Sequence, residues 1–360
     1  MKTGVADLPL HYGRAPKWLF QRMTALAREV AVILVSEFGT QEVLRRLSDP
    51  YWFQAFGCVL GFDWHSSGLT TTVCGALKEG IKGLENELGF FVAGGKGATS
   101  RKTPAEILRH GDYISVDPQK LIYASRMSAK VDNTALQDGY QIYHHTFVFD
   151  RAGRWCVVQQ GMNPTNRYAR RYHWLGEQVK DFVCEPEAAI CCDARGETLN
   201  MVAQESDGAR KASAMLAGQR PVWLLGELKR LKRLELPARH AMLIEDIQPD
   251  HLAKILLATY ERQPADFETL LSMEGVGPKT IRALSLLSEV VYGAPVSFRD
   301  PARFSFAHGG KDGHPFPVDR ETYDRSISVL NQAIKQARLG RREKVEAFRR
   351  LSLWAQRIGR

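Results

Sequence analysis

Residues 270–280 read LLSMEGVGPKT, and this stretch decides the fold of the C-terminal part of the chain. Two apolar segments with helical spacing are joined by Gly275-Val276-Gly277, so we expect a sharp turn between two packed helices. Glycine permits positive φ and lets backbone N–H groups approach a ligand closely. Pro278 suits the first position of the second helix. The stretch therefore predicts a helix-hairpin-helix with Val276 turned back into the core.

The same hairpin has the features of a phosphate-binding site. The N-terminus of the second helix carries partial positive charge, and Lys279 adds a full charge at the same place. Thr280 follows directly and is grouped with these contact residues. The alternative is a tight turn between packed helices, but a turn alone does not require Gly-x-Gly, Pro and Lys together. We therefore expect the hairpin to bind a phosphate group; phosphate contacts to a nucleic acid position a protein without reading sequence.

This string resembles the helix-hairpin-helix element of DNA repair proteins and polymerases. In the glycosylase superfamily built on the motif, a lysine two residues after the second glycine is the Schiff-base nucleophile of members that cleave abasic sites. Lys279 stands at that position. The superfamily also has a catalytic aspartate in a Val-Asp step that opens a later helix, and Pro317-Val318-Asp319 is similar to that step. The resemblance implies Lys279 and Asp319 as a catalytic pair.

The chain departs from that pattern in two ways. Forty positions separate Lys279 from Asp319, and the intervening segment 297–316 is polar and glycine-rich, so we expect a loop at the DNA surface that includes Lys311. Cysteines are absent after Cys192, so the iron–sulfur cluster of some relatives is not expected. The alternative roles are a helix N-cap for Asp319 and an ordinary phosphate contact for Lys279.

The fold class predicted is α+β, with a mixed α/β N-terminal domain followed by an all-α helix-hairpin-helix domain. We assign residues 1–200 to the first domain, 201–248 to a basic helical connection and 249–360 to the second domain. Within the first domain, 141–149 and 154–158 are rich in β-branched and aromatic residues and flank an Asp- and Gly-containing turn, which predicts a β-hairpin.

Two groups of polar residues mark the N-terminal domain as a candidate for function. Asp132, Asp138 and His144 or His145 are the residue types that could hold Mg²⁺ or Mn²⁺ for phosphodiester hydrolysis. The stretch 167–174 interleaves basic and aromatic residues, which suits backbone neutralisation with base stacking. We therefore predict nucleic-acid contacts from Arg167, Arg170 and Arg171, with a solvated helix face as the alternative.

Charge and composition narrow the class of partner. The net charge is +9, and residues 218–360 hold 24 Lys and Arg against 17 Asp and Glu, a balance of +7. This asymmetry favours a polyanion partner for the C-terminal part. The N-terminus lacks a signal-peptide pattern and the six cysteines form no C-x-x-C pair. We expect a cytoplasmic, nucleoid-associated protein that binds DNA and no membrane.

Three functions remain open from the sequence. The first is a DNA-repair enzyme of the glycosylase/AP lyase kind, acting on damaged or abasic DNA through Lys279 and Asp319. The second is a metal-dependent, structure-selective nuclease whose active site lies in the N-terminal domain. The third is a non-catalytic DNA-binding module. The whole chain is also similar to an uncharacterised family of bacterial and archaeal proteins of about this length.

Overall fold

The computed structural model of the chain describes residues 16–62, 67–192, 195–233, 247–302, 320–337 and 340–358. Its helices are α1 Lys17–Ser48, α2 Pro50–Leu60, α3 Gly68–Ile81, α4 Glu85–Leu88, α5 Thr103–Arg109, α6 Pro118–Lys130, α7 Asp207–Ala217, α8 Pro221–Leu231, α9 Pro249–Arg262, α10 Phe267–Ser272, α11 Pro278–Tyr292, α12 Arg320–Gln336 and α13 Arg341–Ile358. Its strands are β1 Phe90–Lys96, β2 Leu136–Gln137, β3 Gln141–Asp150, β4 Trp155–Met162, β5 Ala169–Leu175, β6 Ala189–Cys191 and β7 Leu199–Asn200.

A five-stranded antiparallel sheet in the order β1-β3-β4-β5-β6 lies at the centre of the molecule. Strands β3 and β4 form the hairpin predicted for residues 141–158, and the Asp150 amide donates to the Arg154 carbonyl at its turn. Because successive side chains of a strand point to opposite faces, the sheet presents two faces, and helices cover each of them. The fold class predicted from the sequence is confirmed.

The first face of the sheet is covered by α1, α2 and α3. Helix α1 contains Gly39 with a φ of +78°, which interrupts its helical geometry. The last two helices, α12 and α13, return to this layer: Leu330 and Leu351 are buried in the same core as the side chains of α1. The Arg350 Nε donates to the Val59 carbonyl at 3.0 Å. Part of the predicted C-terminal domain therefore packs on the N-terminal helices.

The second face of the sheet carries α6, α7, α8 and the helices of the hairpin. Leu224, Leu228 and Leu231 of α8 are buried in this core together with Leu270 of α10 and Leu284 of α11. The predicted basic connection thus contributes apolar residues to a shared core, because the leucine face of α8 needs an apolar partner. Lys229 and Arg230 of the same helix are exposed, as its pattern indicates.

Two helix ends beside the hairpin show the expected capping residues. The Asp266 side chain accepts a hydrogen bond from the Thr269 amide at 2.7 Å and so caps α10. Gly293 ends α11 with a φ of +63°. Among the described residues, we find no helix with the length and apolar character needed to cross a bilayer.

Candidate nucleic-acid interface

Residues 273–277 connect α10 to α11 in a tight hairpin. Gly275 adopts a φ of +84°, which a side chain would oppose. Val276 is only 3% exposed and packs into the core between the helices, as predicted. Gly277 precedes α11 in extended backbone, with a φ of −132° and a ψ of −174°. Of the two glycines, Gly275 is therefore the one with positive φ, whereas Gly277 has a backbone conformation open to other residues.

The outer side of the hairpin presents backbone donors. Among the described residues, the amides of Gly275, Gly277 and Lys279 have no hydrogen-bond acceptor. They lie at the N-terminus of the fifteen-residue α11, where the helix dipole favours an anion. The Lys279 side chain is exposed beside them. Thr280, in contrast, is 2% exposed and its amide donates to the Gly277 carbonyl at 3.0 Å, so the structure does not support its grouping with the DNA-contact residues.

The inner side of the hairpin is held by Lys130 at the end of α6. Its Nζ donates to the carbonyls of Leu271 at 2.7 Å, Met273 at 2.5 Å and Val276 at 3.1 Å. Burial lowers the Lys130 pKa from its ordinary value, and the nearby Glu274 opposes that shift. One ammonium thus satisfies three carbonyls at the point where the chain reverses, and it ties the hairpin to the α/β part.

Gln137 of β2 fixes the start of α11 in a similar way. Its Nε2 donates to the Pro278 carbonyl at 2.9 Å, and its Oε1 accepts from the Arg282 Nε at 3.0 Å. Neither Gln137 nor Lys130 was identified from the sequence as a site residue. For Lys130, the sequence feature that could have indicated a role is the string Lys130-Val131-Asp132, which has more polar residues than a purely structural helix end requires.

Two of the three arginines predicted to contact nucleic acid are buried. Arg170 is 1% exposed and forms ion pairs with Asp138 at 2.8 Å and Asp300 at 2.7 Å. Arg171 is fully buried, and its Nη1 donates to the Gln54 side chain at 3.1 Å. The predicted contacts from Arg170 and Arg171 are wrong, because both residues lie in β5, an interior strand between β4 and β6 whose residues are all buried. Arg167 is exposed in the turn before β5.

The four predicted metal ligands do not form one site. His144 and His145 are neighbours on β3 and point to opposite faces of the sheet. Asp138 accepts from Arg170 and from the Tyr172 hydroxyl, at 2.7 Å for the latter. Within the part of the chain that the structure describes, no group of three or more His, Cys, Asp or Glu could hold a metal ion. The combination of Asp132, Asp138 and His144 or His145 as a Mg²⁺ or Mn²⁺ site is therefore wrong.

Asp132 and His145 instead belong to a buried chain of hydrogen bonds. The Ser125 hydroxyl and His145 Nε2 are 2.9 Å apart, and His145 Nδ1 lies 2.8 Å from the Gln159 Oε1. The Gln159 amide donates to Asp132, which also accepts from the Trp174 indole at 2.8 Å. Burial lowers the pKa of His145, so the imidazole is neutral and orients its neighbours.

Asp132 is fully buried, and the carboxyl group of Glu187 is its acidic neighbour. Burial raises the Asp132 pKa well above its ordinary value, and the charge of Glu187 raises it further, although Trp174 and Gln159 oppose the shift. Two carboxyl groups in contact cannot both ionise at low cost, so the pair holds one proton between them. The buried hydrogen-bond chain thus ends at a pair of carboxyl groups that share one proton and carry one negative charge, and Asp132 lies two positions from Lys130.

The predicted catalytic pair is only half described. Lys279 is exposed at the hairpin, whereas Asp319 lies outside the described residues, as does Lys311. The Lys279–Asp319 pairing therefore stays a prediction.

The described residues define an α+β protein with a glycine hairpin exposed at the N-terminus of a helix. The chain belongs to the family described as Protein of unknown function (DUF763), whose model matches residues 4–318. This match confirms the similarity to an uncharacterised family and covers the hairpin as well as the sheet. Neither curated proteins nor solved structures gave a match to the chain.

Proposed function

We propose that this protein binds DNA by holding a backbone phosphate at the hairpin 273–279. The observation that carries the proposal is that the amides of Gly275, Gly277 and Lys279 have no acceptor among the described residues, and that Gly275 and Lys279 are exposed. A phosphate oxygen can accept from them while the α11 dipole and the Lys279 ammonium offset its charge. The resemblance of this string to DNA repair proteins supports DNA as the source of the phosphate.

The hairpin is also rigid, which favours a binding role over a passive turn. Lys130 holds three of its carbonyls from beneath, and Gln137 holds the first carbonyl of α11. Donors that are already oriented lose little conformational entropy when an anion binds. The balance of +7 over residues 218–360 adds a non-specific attraction to the same polyanion.

Among the three functions considered, the DNA-binding role has the most support. The nuclease hypothesis lacks its predicted ligand set, since Asp138 is paired with Arg170 and His144 lies on the opposite sheet face from His145. A glycosylase/AP lyase role rests on the resemblance at Lys279 and Asp319. A Schiff-base lysine needs a deprotonated amine, which burial favours, whereas the exposed Lys279 is suited to a charged phosphate contact.

Replacing Gly277 with alanine tests the hairpin. Because Gly277 has extended backbone and a Cβ there meets only the Gly275 carbonyl at 4.0 Å, the variant is expected to fold normally. The new methyl group would occupy the side from which a phosphate approaches. We expect DNA affinity to fall roughly tenfold, about 1.4 kcal/mol, in fluorescence anisotropy titrations with a labelled duplex.

Gly226→Ala is the matched control. Gly226 lies within α8 and has no atom within 4 Å of a new Cβ, so this variant should bind DNA like the unsubstituted protein. The unsubstituted protein should also lose affinity steeply between about 50 mM and 200 mM salt, since phosphate contacts release counterions. Equal affinities for Gly277→Ala and Gly226→Ala, or an affinity insensitive to salt, would rule out the hairpin as the contact.

Substitution of Lys279 separates charge from nucleophilicity. Lys279→Arg keeps the charge but cannot form an imine, so we expect it to retain DNA binding, whereas Lys279→Ala should weaken binding. The same proteins are treated with borohydride on DNA that carries an abasic site. A covalent adduct that forms with the unsubstituted protein and not with Lys279→Arg would establish the lyase role. DNA binding by the unsubstituted protein without an adduct would leave DNA binding by the hairpin as its only role at this site.

A further inference from the structure

An aromatic pocket opens beside the first helix of the hairpin. It has a volume of about 490 Å³ and is lined by Tyr123, Trp155 and Phe182, with Lys120 and Gln119 at its rim. The Trp155 and Phe182 rings are parallel within 3° at a centroid distance of 6.2 Å. Tyr123 stands at 89° to Phe182, at 5.7 Å, and is 40% exposed. A pocket of this size, with flat aromatic walls and the polar side chains of Asp117, Gln119 and Lys120 in its lining, suits one planar ring with polar groups at its edge.

The pocket and the hairpin share one edge of the molecule. The Tyr123 hydroxyl donates to the Glu268 carboxylate of α10 at 2.5 Å, and seven residues further along α6 Lys130 holds the hairpin carbonyls. An α-helix rises about 1.5 Å per residue, so the two points are about 10 Å apart. Arg126 is exposed on α6 between them, and its position follows Tyr123 by three residues, on the same side of the helix.

We propose that this pocket receives an unpaired nucleobase from a DNA strand whose phosphate is bound at the hairpin. The proposal rests on the DNA-binding role proposed above and narrows its substrate to DNA with a single-stranded or extruded nucleotide. A base stacked in the pocket places its own backbone between two cations, Lys120 and Arg126. The Gln119 amide at the rim offers a donor and an acceptor to the edge of the base.

Two acidic groups lie at the pocket, Asp117 in its lining and Glu268 next to Tyr123, and both already accept hydrogen bonds. The Asp117 side chain, as the N-cap of α6, accepts a hydrogen bond from the backbone N–H of Gln119 at 2.9 Å, which leaves the Gln119 side chain available. The Glu268 carboxylate accepts from the Tyr123 hydroxyl. A base inside a duplex could not enter, because both of its faces are covered by neighbouring bases. The pocket therefore selects nucleotides that are already unstacked, and stacking on aromatic side chains tolerates any base.

The test presents the full-length protein with two duplexes of the same sequence, each with a single unpaired nucleotide at the centre of one strand, so that only this position can enter the pocket. One carries 2-aminopurine at this position, and the other carries a tetrahydrofuran abasic analogue there. We expect quenched 2-aminopurine emission on binding and tighter binding of the base-bearing duplex. Tyr123→Leu and Phe182→Leu should each weaken binding of the base-bearing duplex roughly tenfold and leave binding of the abasic duplex unchanged, since only the stacking contact is removed.

Tyr123→Phe is the control, because it keeps the ring and removes only the bond to Glu268; it should keep the preference for the base. Equal affinity for the two DNAs, with unchanged 2-aminopurine emission, would overturn the base-binding role of the pocket. If Gly277→Ala still weakens the binding of both DNAs, the phosphate-binding role of the hairpin remains. Quenching that persists in Gly277→Ala at unchanged affinity would support the pocket and overturn the hairpin. Loss of preference in Tyr123→Phe would assign the effect to the Glu268 contact and overturn the stacking role.

Discussion

Replacing Lys130 with methionine is expected to destabilise the protein and to weaken DNA binding at the same time. Methionine fills a similar volume but leaves the carbonyls of Leu271, Met273 and Val276 without their shared donor. Hydrogen bonds to a charged group contribute about 1.5–3 kcal/mol, so we expect a loss of about 2 kcal/mol in the free energy of unfolding. DNA affinity should fall roughly tenfold, because the hairpin amides lose their fixed orientation.

Lys82→Met separates this effect from the loss of one positive charge. The Lys82 side chain is 73% exposed just after α3, and its Nζ lies 3.7 Å from the Glu79 carboxylate. Its substitution should change stability by less than about 0.5 kcal/mol. The two free energies of unfolding come from urea titrations and the affinities from anisotropy at one salt concentration. If Lys130→Met behaves like Lys82→Met in both measurements, the ammonium does not position the hairpin.

Asp132→Asn is expected to make the protein more stable at neutral and alkaline pH. The raised pKa of Asp132 means that the folded state keeps its proton to a higher pH than the unfolded state does. Stability from this group is therefore fully present below the unfolded pKa near 3.8 and is lost as pH rises toward the folded pKa. The loss is about 1.4 kcal/mol for each unit by which the pKa is raised.

Asparagine removes that loss without removing the contacts. Its carbonyl can accept from Gln159 and Trp174 as the carboxylate does, and its amide can donate to Glu187. Urea titrations from about pH 4 to pH 8 should give similar free energies of unfolding for the two proteins near pH 4. As the pH rises, the free energy of unfolding of Asp132→Asn should exceed that of the unsubstituted protein by an increasing amount. Asp132→Ala, which breaks both hydrogen bonds, should be less stable throughout. An Asp132→Asn protein that is less stable at pH 8 would contradict the shared proton.

Local features of the hairpin were predictable because they depend on neighbours in sequence. A reversal of direction within five residues requires Gly275 at positive φ, and the apolar Val276 between two glycines could only turn inward. The β3–β4 hairpin and the Asp266 cap follow from similar local rules. The polar character of β5 misled for the same reason. In the sequence its arginines have the character of surface residues, because their partners Asp138, Asp300 and Gln54 lie in distant segments of the chain.

The amino-acid sequence by itself determined the α+β class and the glycine hairpin, with its exposed lysine at the start of a helix. Backbone φ preferences, helix capping and apolar periodicity act over a few residues, so a sequence read alone can reveal them. Only the tertiary structure decided that Lys130 holds the hairpin, that Asp132 shares a proton with Glu187, and that Tyr123 meets Phe182. These contacts join segments that are 55 to 140 or so positions apart, and they form only when both faces of the sheet are covered by helices.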